Sequence, residues 1–243
     1  TIVSGKIRYT PNTGYTGSDS FTYKPTDGLL QSDAVTVNVT VNAQSAEDMV
    51  NDIINHAFNY FWTETNSVST GLIRDRLLTN GDPTTDYDYN KSSVAATGFG
   101  LASLCVAAEK YGANPDWDKT PQELAARAEQ ILDTLLSIQA NQATGGDAKW
   151  GKSGFFYHFV DVNTKESWSN VEVSSIDTAI LVAGALTAGE YFGGDVKTNA
   201  EQLYANVDWN SFVDYTSEDH SGQFYKQWKL GAGYDGRWDY NDE

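Results

Sequence analysis

The spacing of the apolar residues changes once along the chain, and this change limits the fold more than any other feature. Up to Asn42, apolar and polar residues alternate in runs such as GKIRYT, DSFTYK and DAVTVNVTVN. Such alternation predicts half-buried β-strands. From Ala46 onward, apolar residues recur every three to four positions, which predicts helices. The sequence therefore predicts a partial β-sandwich at 1–43 and a mainly helical domain at 44–243.

Helical spacing predicts five helices in the second domain, and a sixth is predicted to start near Glu243. Long aromatic and acidic segments join the helices, and FFYHFVDVNTKESW and GQFYKQWKLGAGYDGRW are each predicted to form a hairpin. Helices joined by long loops favour an α-helical toroid with its site at one rim. The five predicted helices are Ala46–Trp62, Ser92–Tyr111, Pro121–Gln139, Ser175–Phe192 and Val196–Val207.

Charge and composition exclude several classes of function. The formal net charge is −17, so the surface should repel nucleic acid. No run reaches the roughly 18 consecutive apolar residues of a membrane helix, and the single cysteine, Cys105, cannot form an intrachain disulfide. The three histidines show no metal-binding spacing, and no nucleotide-binding motif is present, so we expect neither a catalytic metal nor a cofactor.

The segment VEVSSIDTAILVAGAL (171–186) places two carboxylates at the head of an apolar helix. Ser174 and Asp177 fit a capping box, in which the Ser174 hydroxyl accepts from the Asp177 N–H and the Asp177 carboxylate accepts from the Ser174 N–H. Capping explains Asp177 without a function, but it does not explain Glu172. Both acids are therefore candidates for catalysis, and Asp177 is expected to cap the helix as well.

The first 42 residues resemble the C-terminal part of bacterial cadherin-like or Ig-like repeats. The segments that carry the resemblance are GKIRYTPNTGYTGSDSFTYKPTDG and AVTVNVTV. Repeats of this kind are spacers or adhesion modules of secreted and surface proteins. Asp19 and Asp27 are candidate calcium ligands on this module, although acids at such positions more commonly form turns.

The second region resembles the glucoamylase-like glycoside hydrolases, the group that includes bacterial endo-β-1,2-glucanases. The resemblance implies an (α/α)6 toroid, here incomplete, and a secreted, periplasmic or cell-surface hydrolase of a β-glucan, most specifically a β-1,2-glucan. The matching segments are GLIRDRL, SSVAATGFGL, GGDAKWGKSGFFYHFVD, VEVSSIDTAILVAGAL, EYFGGD, LYANVDW and RWDYNDE, in this order through residues 46–243.

Glycoside hydrolysis needs two carboxyl groups across the scissile bond, one to protonate the leaving oxygen and one to activate water or attack the sugar. Asp177, Glu172 and Glu243 are the candidates for this pair, and the sequence does not say which is the acid. Aromatic and polar side chains beside them are candidates for substrate binding, because sugar rings stack on aromatic rings. These are Arg74, Asp75, Trp150, Tyr157, His158, Trp228 and Trp238.

A different class of function fits the same residues. Loop aromatics serve binding as well as catalysis, and the N-terminal module is typical of adhesion proteins. A non-catalytic carbohydrate-binding or adhesion protein is therefore the alternative. The two functions differ in the acids, because only an enzyme loses turnover when its catalytic carboxylate becomes an amide.

Overall fold

The structure of the protein is a computed structural model that describes residues 2–3, 6–26, 28–65, 69–77, 88–110, 119–143 and 147–238. Contacts within the chain divide it into two compact units, Thr1–Ile53 and Ile54–Glu243, and the division falls within the first helix. No helix in these described ranges is both long enough and apolar enough to cross a membrane.

The N-terminal unit consists of antiparallel strand pairs. In the strand Val35–Val41, Val37, Val39 and Val41 are less exposed than the residues between them. This confirms the alternation expected of a strand with one sheltered face. The strands are β1 (Ile2–Val3), paired with β2 (Lys6–Ile7), and β3 (Gly17–Tyr23), paired along its whole length with β4 (Val35–Val41).

The five predicted helices are all present, with bounds that differ by a few residues. The second helix starts later than predicted because Lys91–Ser93 forms a strand, β5, before the helix begins. The helices are α1 (Ala46–Thr63), α2 (Val94–Lys110), α3 (Pro121–Ala143), the short α4 (Asp147–Trp150), α5 (Ser175–Phe192) and α6 (Gly194–Ala205).

Helices α2 and α5 lie parallel and in close contact. A Cβ added at Gly98 of α2 would lie 2.6 Å from the carbonyl oxygen of Ile180, and one added at Gly184 of α5 would overlap the carbonyl of Gly98. Further along, the Tyr191 hydroxyl donates to Glu109 over 2.8 Å. Since residues of rising number in one helix meet residues of rising number in the other, both helices begin at the same end of the unit.

A second layer packs on this pair. Helices α3 and α6 are also parallel, because Asn199 donates to Asp133 near their middles and Asn206 donates to Gln139 towards their ends. Apolar side chains fill the space between the layers, including the fully buried Leu101, Leu132, Leu135, Leu181 and Leu203. In the second unit, α2 with α3 and α5 with α6 therefore form two helical hairpins side by side. The described residues contain five long helices, where a complete (α/α)6 toroid has twelve, so the toroid stays a prediction.

Short strands join the helices at the end where α2 and α5 begin. β6 (Phe159–Asp161) pairs with β5. The chain that follows β6 folds back against it, and Val160 and Ser167 form an antiparallel bridge. β7 (Val173–Ser174), β8 (Tyr225–Lys229) and β9 (Gly233–Arg237) form an antiparallel sheet. Both predicted hairpins are therefore confirmed.

Asp214 fixes the segment that leads into the β8–β9 hairpin. One carboxylate oxygen accepts from Arg237 Nε at 2.9 Å and Nη2 at 2.7 Å. The other accepts from the backbone N–H groups of Thr216 and Ser217. The Thr216 N–H first, and then Arg237, hold the pKa of this carboxyl well below its usual range.

We expect Asp214→Asn to destabilise the protein at neutral pH. Because folding lowers the pKa of Asp214, its contribution to stability is complete above the pKa of the unfolded chain, near 3.8, and is lost as the pH falls through the folded value. The difference in melting temperature between wild type and variant should therefore be largest at pH 7 and shrink in acid. Asp219→Asn, at an exposed acid of the same connection, is the control. Equal stability of wild type and Asp214→Asn at pH 7 would contradict this role.

Candidate functional site

An imidazole joins two of the predicted catalytic acids. His158 Nδ1 lies 2.9 Å from Glu172 Oε1, and His158 Nε2 lies 3.6 Å from Asp177 Oδ1. The side chains of Glu172 and His158 are about one-quarter and one-third exposed, whereas that of Asp177 is mostly buried. The ring is hydrogen-bonded to Glu172 and lies within ion-pair distance of Asp177, so it links the two acids.

Backbone pairing brings the three side chains together. The His158 N–H donates to the Glu172 carbonyl at 2.9 Å, and the His158 carbonyl accepts from the Val94 N–H at 3.1 Å. Two residues earlier, the Phe156 carbonyl accepts from the Ser174 N–H at 3.0 Å. The segment 156–158 is therefore held between the first residues of α2 and α5. Asp177 lies in the first turn of α5, where the helix dipole favours a negative charge.

Asp177 departs from the capping box predicted for it. The Ser174 hydroxyl does accept from the Asp177 N–H, at 3.3 Å, which confirms half of that prediction. The other half is wrong, because the Ser174 N–H is occupied by Phe156 and the carboxylate accepts from the Ser174 hydroxyl instead. Only Oδ2 is used in this way, and Oδ1 faces His158.

Two other helices show what an ordinary capping box looks like in this chain. At α1, Asp48 accepts from the Ser45 backbone N–H at 3.1 Å. At α3, Glu123 accepts from the Thr120 backbone N–H at 2.8 Å. Both acids close the reciprocal bond that Asp177 does not make. In all three caps one carboxylate oxygen makes the bonds to the capping residue, and in Asp177 the other oxygen, Oδ1, lies 3.6 Å from His158 Nε2.

A second cluster of charged side chains, around Lys91, lies next to His158. His158 stacks on Phe159 with 3.8 Å between centroids, and Lys91 Nζ lies 4.8 Å from the Phe159 ring. Lys91 Nζ also lies 4.0 Å from Asp75 and 3.2 Å from Asp88. Asp75, a predicted substrate-binding residue, is thus connected to the histidine through Lys91 and Phe159.

Lys91 and Phe159 are not among the site residues predicted from the sequence. Of the two arginines that flank Asp75, Arg76 lies 3.5 Å from its carboxylate. Arg74 instead packs over the Tyr89 ring and donates to the Tyr89 carbonyl. No local sequence pattern marks Lys91. It comes close to Asp75 only because Arg74 and Ser92, which are far apart in the sequence, form a β-bridge.

The predicted aromatic residues do not gather around the histidine. Tyr157 and Trp228 are buried, at 4% and 8% exposure, and belong to the hydrophobic core. Trp150 is partly buried against the same core. Trp238 lies at the start of α5, where its indole N–H donates to the Ser175 hydroxyl at 2.9 Å.

Two candidate residues lie outside the described part of the chain: Glu243, the third predicted catalytic acid, and Asp27, a predicted calcium ligand. The other predicted calcium ligand, Asp19, accepts from the Tyr9 hydroxyl and from the Ser20 N–H. Within the described ranges, no three His, Cys, Asp or Glu side chains are grouped to hold a metal ion.

Comparison with known proteins found one similarity, in the N-terminal segment. A family model for a bacterial Ig domain matches residues 1–40. The segment is similar to that domain over these residues, in agreement with the strands of the N-terminal unit. The search of curated proteins and the search of solved structures each found no match. The glycoside hydrolase resemblance of the helical region stays a prediction.

Proposed function

We propose that this chain is a glycoside hydrolase that cleaves a β-glucan by carboxylate acid/base catalysis. The observation that supports the proposal is the histidine that joins Glu172 and Asp177 at the start of α5. Glycosidic bond cleavage requires two carboxyl groups that flank the scissile bond, and these two lie on either side of one imidazole at a partly open surface. One carboxyl protonates the leaving oxygen, and the other activates water or attacks the anomeric carbon.

The position of Asp177 supports a catalytic role beside its structural one. The Ser174 N–H is taken by the Phe156 carbonyl, so the Asp177 carboxylate contributes to the cap only through the Ser174 hydroxyl. The Ser174 hydroxyl bonds to Oδ2 of Asp177 and so holds the carboxylate with Oδ1 towards His158. Such pre-organisation is what a catalytic group needs.

The resemblance of residues 46–243 supplies the proposed substrate, a β-1,2-linked glucan, and the proposed secreted, periplasmic or cell-surface location. Reducing-end release by this chain on linear β-1,2-glucan, β-1,3-glucan and starch tests both the activity and the linkage. We expect release from β-1,2-glucan alone. Release from another polymer would correct the linkage, and no release from any of the three by a folded chain would contradict the proposal.

The bacterial Ig match at residues 1–40 favours a second candidate, a carbohydrate-binding or adhesion protein without catalysis. This candidate predicts binding to one of the same polymers with no turnover. Binding measured by co-sedimentation with the polymer, beside the reducing-end assay, separates the two.

A further inference from the structure

A cavity of about 470 Å³ adjoins the segment that carries Glu172. Trp168, Asn170 and Lys229, at the end of β8, line it together with the apolar Val171 and Leu230. Tyr157 and Ser167 complete the set of polar and aromatic groups. No site residue predicted from the sequence other than Tyr157 belongs to this cavity.

The cavity and the carboxylate pair share their backbone. Glu172 follows Trp168 and Asn170 in one short connection, and Tyr157 directly precedes His158. The Trp168 N–H donates to the Phe159 carbonyl at 3.0 Å, while the His158 N–H donates to the Glu172 carbonyl at 2.9 Å. Both ends of the connection are therefore fixed to the segment that holds the histidine.

Asn170 turns the chain back towards that segment. Its φ of 57° lies in the left-handed region, which asparagine tolerates better than most residues. Among the described residues other than glycine, only Ser153, Lys165 and Asn170 have a positive φ, and the last two lie in the stretch that leads to Glu172. Unfavourable backbone conformations of this kind concentrate at ligand-binding segments.

The chemistry of the lining indicates the ligand. An aromatic ring, a carboxamide, a hydroxyl and an ammonium group offer one stacking face and several hydrogen-bond donors and acceptors. By contrast, the cavity of about 330 Å³ between Ile176, Trp209 and Trp238 is lined almost entirely by apolar atoms. The first cavity thus suits a ligand rich in hydroxyl groups and does not suit an apolar one.

We infer that the cavity lined by Trp168, Asn170 and Lys229 is a sugar-binding subsite beside the carboxylate pair. The inference rests on the proposed function. A glucose ring stacks on Trp168, and its hydroxyls bond to the Asn170 amide and the Lys229 ammonium. A longer oligosaccharide should bind more tightly than a disaccharide because it fills this subsite as well.

Isothermal titration of the full chain with a β-1,2-glucan hexasaccharide tests the subsite. All proteins carry Asp177→Asn, so that the ligand is not consumed. We expect Trp168→Ala to weaken binding about tenfold and Asn170→Ala about fivefold. Tyr215→Ala, which removes an exposed aromatic ring outside the cavity, is the matched control and should leave the affinity unchanged.

The outcomes separate the subsite from the proposed function. Unchanged hexasaccharide affinity in Trp168→Ala and Asn170→Ala would overturn the subsite, even if the wild type releases reducing ends. No binding by any of these proteins, with no release by the wild type, would overturn both. If Trp168→Ala does not melt cooperatively, Lys229→Ala, at an exposed position, replaces it.

Discussion

Asp177→Asn should lower the rate of glucan hydrolysis by about 10²- to 10⁴-fold, the usual contribution of a general acid or base. The amide oxygen can still accept from the Ser174 hydroxyl, so α5 should remain capped. What is lost is the carboxyl that transfers a proton or activates water beside His158. The measurement is kcat on the polymer that the wild type hydrolyses, together with the binding of an oligosaccharide of that polymer. Turnover should fall while binding stays within a few-fold.

The chain supplies a matched control for this variant. Glu123→Gln changes the capping acid of α3, which bonds to Thr120 and does not face the histidine. It should reduce stability slightly and leave kcat unchanged. Glu172→Gln should behave like Asp177→Asn, because both acids flank His158. Turnover by Asp177→Asn close to that of the wild type would contradict a catalytic role for this acid.

The sequence predicted the long helices and both hairpins because their signals are local. Helix α5 shows this best, since the apolar run after Ser174 and the capping pattern predicted its first and last residues. Gly98 and Gly184 could be recognised as small residues in apolar helices. That they face each other depends on the packing of α2 against α5, and no local pattern encodes this.

The same limit explains what was missed at the candidate site. His158, Glu172 and Asp177 were each singled out by their local surroundings. The contacts between them follow from the pairing of Tyr157 with Val173, which is long-range. Burial was also poorly predicted, because aromatic residues in a hairpin alternate between two faces. The sequence does not say which face the core will cover, and Trp228 lies on the covered one.

Gly184→Ala should reduce the free energy of unfolding by about 3 kcal/mol, despite a gain in helix propensity. In an open helix, replacing glycine by alanine stabilises by about 1 kcal/mol. At Gly184 the new methyl group would overlap the backbone of Gly98, which cannot move aside by changing rotamer. The two helices would have to separate, and overpacking of this kind costs more than propensity returns.

The sign of the effect distinguishes close packing from simple propensity. Gly189→Ala is the matched control on the same helix. Its methyl group would lie 3.0 Å from the Cβ of Ala200 and 3.1 Å from the Cα of Lys197, which a small shift relieves, whereas at Gly184 the nearest atom, the Gly98 carbonyl oxygen, is 2.0 Å away. It should change stability by about 1 kcal/mol or less. Urea denaturation of both variants gives the comparison. If Gly184→Ala proved as stable as the wild type, α2 and α5 could not be in contact through these glycines. The common end of the two helices, where His158 meets Asp177, would then lose its structural basis.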